Sequence, residues 1–208
     1  MCPQIIRKIF AITILTFALP IYAEEDTSKI INNYIQCLNA KTFLMDGTCR
    51  KIRNWIAEKT NYYQYDEIVE TLVNVVGVQT YYYDGVKTTK KDKTQCENNK
   101  GLQGFYDPSR RTIVICSNNF ETSGEARLVM QHEIVHAAQH CYGGTLSRNS
   151  MLKALYFRQP PISDDFETVL ELYPKGEWVN ELEARAGLMS GLVIDYATLL
   201  YLSCRENN

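Results

Sequence analysis

His132-Glu133-Ile134-Val135-His136 decides how this chain is read. The five residues lie inside Gly124 to Tyr142, which Ser123 precedes as a helix cap and Gly143-Gly144 follows as a stop, so one helix is predicted throughout. Residues four apart on a helix share a face, about 5–6 Å apart, and two imidazoles so placed can close on one metal ion. Glu133 comes one position after the first imidazole, beside the open coordination position of such an ion without filling it. There it can take a proton from a zinc-bound water and pass it to a leaving amine. The pattern predicts one Zn2+ per chain, with His132 and His136 as ligands and Glu133 as the catalytic base.

The chain's three histidines all lie in this window, the third being His140. At 1.5 Å per residue it sits about 12 Å along the helix from His132, too far for a shared ion that needs nitrogens at about 2.0–2.1 Å. His140 is therefore read as an outer or capping group, and a carboxylate is needed as third ligand. Glu181, in Asn180-Glu181-Leu182-Glu183-Ala184-Arg185-Ala186, is the best candidate. It opens an otherwise apolar helix, where an unpaired buried carboxylate is costly. Glu183, about 200° further round, is the weaker alternative.

The rest of the chain bounds these readings. Its 208 residues are 45% hydrophobic and 22% charged, which fits one globular domain with appendages and excludes disorder and a polytopic membrane protein. A net charge of −2 gives no reason to expect nucleic acid as a partner. Arg7-Lys8, the apolar run Ile9 to Leu19, Pro20 and Ala23 read as a cleaved signal over residues 1–23, with export to the periplasm or the exterior as the expectation. The run is too short to span a bilayer, so no integral span is expected in the mature chain. Cleavage would remove Arg7, Lys8 and Cys2, moving the net charge to −4 and leaving Cys37, Cys49, Cys96, Cys116, Cys141 and Cys204. Six is an even number, suited to disulfides, and no Cys-x-x-Cys pair suggests a thiolate metal site.

Along the mature chain, residues 24–101 read as a mostly helical segment and 102–208 as the catalytic region, together one domain. Helices are expected over 28–40, 49–59 and 65–76, the last stopped by Gly77. Gly85 to Gly101, with five lysines, reads as a mobile solvated loop. Strands at 102–106 and 111–116 flank the turn Asp107-Pro108-Ser109-Arg110. Further helices are expected over 163–172 and, as one long element, over 177–203.

Gly104-Phe105-Tyr106-Asp107, Ile113-Val114-Ile115-Cys116-Ser117-Asn118-Asn119, His132 to Ala137 and His140-Cys141 together resemble the mitochondrial inner-membrane metallopeptidase family that matures an ATP synthase subunit. That family is a zincin, and its later Glu-x-x-Ala segment corresponds to Glu181 to Ala184. The resemblance runs from about Gly104 to Gly191 and favours Glu181 over Glu183. It implies an α+β, zincin-like fold, with a small antiparallel sheet packed on the metal-binding helix and a second long helix bearing a ligand. In such folds the strand before that helix lines the cleft, which makes Thr112, Ile113, Val114 and Ile115 candidates for binding an extended substrate. Cys116 and Cys141, at the ends of strand and helix, form a candidate disulfide. The expected activity is that of a zinc metalloendopeptidase with a polypeptide substrate; the alternative is a non-proteolytic assembly or binding factor on the same scaffold.

Overall fold

The computed structural model describes residues 27–40, 47–59, 62–85, 87–146, 163–188 and 193–205. The expected signal over residues 1–23 and the break at Pro160-Pro161 lie outside them. Among the described residues the helices are α1 (Thr27–Asn39), α2 (Gly47–Lys59), α3 (Tyr62–Val75), α4 (Lys90–Asn98), α5 (Ser123–Tyr142), α6 (Ser163–Leu172), α7 (Trp178–Leu188) and α8 (Val193–Arg205). The strands are β1 (Gln79–Tyr82), β2 (Gly104–Asp107) and β3 (Thr112–Ile115), in the order β1-β3-β2. The architecture is α+β with a small sheet. No helix among the described residues is long and apolar enough to cross a membrane.

The sheet is mixed, which corrects the expected antiparallel one. β2 pairs with β3 antiparallel through the Asp107–Arg110 turn, but β1 pairs with β3 in parallel, Gln79 opposite Thr112 and Tyr82 opposite Ile115. Parallel neighbours need a long crossover, supplied here by the chain between Tyr82 and Thr112. β3 is the central strand, its four side chains all buried. Beneath it Ile113 and Ile115 join the main core with Ile134, Val135 and Ala138 of α5 and Leu199 of α8.

α4 occupies the stretch read as a loop. Thr89 accepts from the Asp92 amide while the Asp92 carboxylate accepts from Thr89, a reciprocal cap that satisfies two of the amides a helix start leaves open. Asp92 is buried and receives both terminal nitrogens of Arg110 at 2.9 and 2.6 Å, which ties α4 to the β2–β3 turn. Asp107 completes the cluster through Arg110 Nε at 2.7 Å and the Ser109 amide at 3.0 Å.

α5 packs on β2, β3, α7 and α8, and so lies at the centre of the molecule's contacts. Its cap is Thr122, one residue before the expected Ser123, and Gly143 closes it in a left-handed turn at φ 80°. α3 also packs on α8, and α1 reaches it through Tyr34, whose hydroxyl lies 2.8 Å from Thr198 Oγ1. Arg53 of α2 forms a two-pronged pair with Asp195 at 2.8 and 2.5 Å. The single long helix expected over 177–203 corresponds to the separate elements α7 and α8, so Glu181 stands on a helix of 11 residues.

Among the described residues the disulfides bridge cysteines that are consecutive along the chain. They are Cys37–Cys49, Cys96–Cys116 and Cys141–Cys204, with Cα separations of 5.5, 5.4 and 4.7 Å. The expected Cys116–Cys141 bridge does not form. Cys116 turns to Cys96 on α4, while Cys141 meets Cys204 in the last turn of α8.

Candidate metal centre and its cleft

α5 and α7 bring three side chains to one point. His136 Nε2 lies 3.0 Å from His132 Nε2 and 3.1 Å from Glu181 Oε1, and His132 Nε2 lies 3.3 Å from Glu181 Oε2. The imidazoles stand edge to face, at 83° between planes. One ligand atom from each residue lies within 4.8 Å of the others, an arrangement able to hold a metal ion. Ligands at about 2.0–2.2 Å around one tetrahedral ion are separated by about 3.3–3.6 Å, close to the spacings here.

A hydrogen-bond chain behind the site sets which nitrogen faces it. The Gln139 amide nitrogen donates to Asn180 O at 3.0 Å and to Glu183 Oε2 at 2.9 Å, both of which only accept. Its oxygen therefore faces His136 Nδ1 at 2.9 Å, so Nδ1 carries a proton and, in the neutral imidazole, the Nε2 lone pair is left toward the cluster. Two imidazole nitrogens 3.0 Å apart, with the buried Glu181 Oε2 making no hydrogen bond, are a donor set that a cation satisfies.

The electrostatics agree. Burial alone would push the Glu181 carboxyl up, but the two imidazoles hold it down, to about 2. Burial would likewise lower His136, yet Glu181 and Glu133 raise it to about 9. The cluster thus stabilises positive charge in a buried place. Glu133 differs: burial pushes its carboxyl up, the imidazoles pull it down, Glu181 pushes it up again, and the Tyr106 backbone amide holds it by a hydrogen bond.

Tyr106 is the residue of β2 that organises the opposite wall. Its amide serves Glu133, and its hydroxyl lies 2.9 Å from His140 Nδ1. Close approach of β2 to α5 makes this possible. At Gly104 an added Cβ would stand 2.5 Å from Val129 Cγ1, 3.0 Å from Val114 O and 3.5 Å from Glu133 Cγ. A cleft of about 580 Å³ runs between β2 and the start of α7, lined by residues that include Phe105, Tyr106, His132, Glu133, Tyr173 and Glu181.

The structure thus brings His132, Glu133, His136 and Glu181 together. Glu183 is buried on the far side of Gln139, where its carboxylate accepts from that amide and from the Leu146 N–H at 2.8 Å. His140 is exposed and outside the metal-binding group, though it lines the cleft. Thr112, Ile113, Val114 and Ile115 do not line it. They form the central strand, paired on both edges, with none left for a substrate. The strand facing the cleft is β2. Gln139 and Tyr106 were given no role from the sequence, yet Gln139 stands three and seven residues after the two histidines, a spacing that shares their face.

Comparison with known proteins adds two matches. Residues 79–187 match the model of a family described as a domain of unknown function (DUF8637). Over 60 residues the chain is 33% identical to a curated human protein, the mitochondrial inner membrane protease ATP23 homolog. That stretch is 28% of this chain and 24% of the relative, so the chain spans about a quarter of the relative's length. No solved structure matches. The relative stands against the expectation of periplasmic or secreted export: its name places that protein at the mitochondrial inner membrane.

Proposed function

We propose that this chain, which belongs to the DUF8637 family, is a zinc-dependent metalloendopeptidase of the zincin type, cleaving peptide bonds of a polypeptide substrate. The observation that carries this is the convergence of His132, His136 and Glu181 with the buried Glu133 carboxylate in one open cleft. The relative's description as a protease supports it.

His132, His136 and Glu181 would hold the metal, a His-His-Glu set that zinc takes in catalytic sites with one position open. Zinc bound there would supply a Lewis acid that polarises the peptide carbonyl and eases deprotonation of the attacking water. Glu133 takes that proton on its carboxylate and delivers it to the leaving amine nitrogen. Burial favours this role, since a carboxyl whose affinity for protons is raised accepts one more readily. The Tyr106 amide keeps the carboxylate aimed into the cleft. Gln139 keeps His136 in the tautomer that presents Nε2.

The test is metal analysis of purified wild-type and Glu133→Gln protein, with peptide hydrolysis followed in both. About one zinc per chain is expected in each, with cleavage by the wild type and a loss of at least about 100-fold in the variant. A wild type that takes up no zinc, or a variant that still cleaves, rejects the reading. A Glu133→Gln protein that fully restores function in cells would instead favour a non-proteolytic assembly or binding role.

A further inference from the structure

The residues lining the cleft include three carboxylates, Glu133, Glu177 and Glu181, and neither lysine nor arginine. Two have tasks in the reaction proposed above, on which this inference rests. Glu177 has none. It is exposed, and its side chain has no hydrogen bond or ion pair with any described residue. Its position is nevertheless fixed. The Glu177 amide donates to Pro174 O at 2.8 Å, and its own carbonyl accepts from the Glu181 amide at 3.0 Å. It therefore stands immediately before α7, one turn ahead of Glu181 and on the same side.

Charge decides what such a group does. A divalent ion in the metal-binding group is balanced by Glu133 and Glu181, so Glu177 leaves the cleft net negative. Phe105, Leu102, Pro108 and Tyr173 make much of the remaining lining apolar or aromatic, which strengthens the field of a lone carboxylate.

We propose that Glu177 is a specificity residue that receives the cationic side chain of an arginine or lysine in the polypeptide substrate. The apolar walls accept the methylene stem of such a residue while the carboxylate takes its head.

The experiment uses the zinc-loaded Glu133→Gln protein, which binds without turnover, and short peptides acetylated at the N-terminus and amidated at the C-terminus. Arginine is walked through the peptide positions, each compared with neutral citrulline and with glutamate. At one position arginine is expected to bind about fivefold more tightly than citrulline, an advantage that added salt weakens. Adding Glu177→Gln should remove that advantage, and Glu177→Lys should make the glutamate peptide the preferred one. The proposal is overturned by equal binding of arginine and citrulline at every position, by a preference that survives Glu177→Gln, or by no binding at all. Cleavage of the same peptides by the wild type is scored separately. Arginine-selective binding without cleavage would reject the peptidase reading and leave the assignment of Glu177 standing.

Discussion

Gln139 donates its amide hydrogen to Glu183 across 2.9 Å, joining the helix that carries His132 and His136 to the helix that carries Glu181. The same side chain accepts from His136 Nδ1, so one residue sets both the spacing of the helices and the tautomer of a ligand. Replacing it with leucine should leave the fold intact by circular dichroism and weaken zinc binding about 10–100-fold in a chelator competition. Glu183→Leu should act in the same direction, because it removes the acceptor that orients the amide. Unchanged zinc affinity in both would show that the chain behind His136 has no part in holding the site.

Gly104 tests the closeness of β2 to α5. Alanine there would place a carbon 2.5 Å from Val129 Cγ1, against a backbone oxygen 3.0 Å away that cannot swing aside. Overpacking of this kind costs about 1–3 kcal/mol, and relief requires β2 to move away from Glu133. Gly104→Ala should lower the melting temperature and reduce kcat more than it raises KM. A variant as stable and as active as the wild type would show that the strand has room to spare.

Acid should loosen the β2–β3 turn in a defined window. The Ser109 and Arg110 hydrogen bonds hold the Asp107 carboxyl down to about 2. Burial would raise Asp92, but Arg110 and Thr89 keep it below its ordinary value of 3.8. Both groups have folded values below their unfolded ones. Their contribution is therefore complete above about pH 4 and is lost as pH falls toward 2. Urea midpoints measured between pH 7 and pH 2 should show this acid limb, and Arg110→Gln should flatten it. A limb of the same steepness in the variant would place the acid sensitivity elsewhere.

Peptide mapping without reduction should recover Cys37–Cys49, Cys96–Cys116 and Cys141–Cys204. Cys141→Ser with Cys204→Ser should cost about 2–5 kcal/mol in denaturant unfolding, since that bridge closes the longest loop of the three. A recovered Cys116–Cys141 peptide would contradict the packing of α4 against β3.

What was legible in the sequence was local. Apolar spacing and caps placed the helices over 28–40, 49–59, 124–142 and 163–172 close to where they stand, because each signal lies within the element it predicts. The His132, Glu133 and His136 geometry follows from helical pitch alone. Glu181 needed a further argument, the cost of an isolated carboxylate at the head of an apolar helix. The non-local features were harder. β1 has four residues and no clear alternation, and only its pairing with β3 makes it a strand. Which strand is central depends on that pairing, and Cys116 and Cys141 find their partners on α4 and α8, elements distant in sequence from the strand and helix they end. α4 was within reach: Thr89-Lys90-Lys91-Asp92 is a capping box, hidden by the lysines that made the stretch look like a solvated loop.

β1 also bears on how this chain can be cut. It lies upstream of the region read as catalytic, yet it covers one whole edge of β3. A fragment beginning at Leu102 would bare that edge along four buried residues, Thr112-Ile113-Val114-Ile115. An uncovered apolar edge is a template on which further copies add, so such a fragment should aggregate more readily than the chain that keeps residues 27–101.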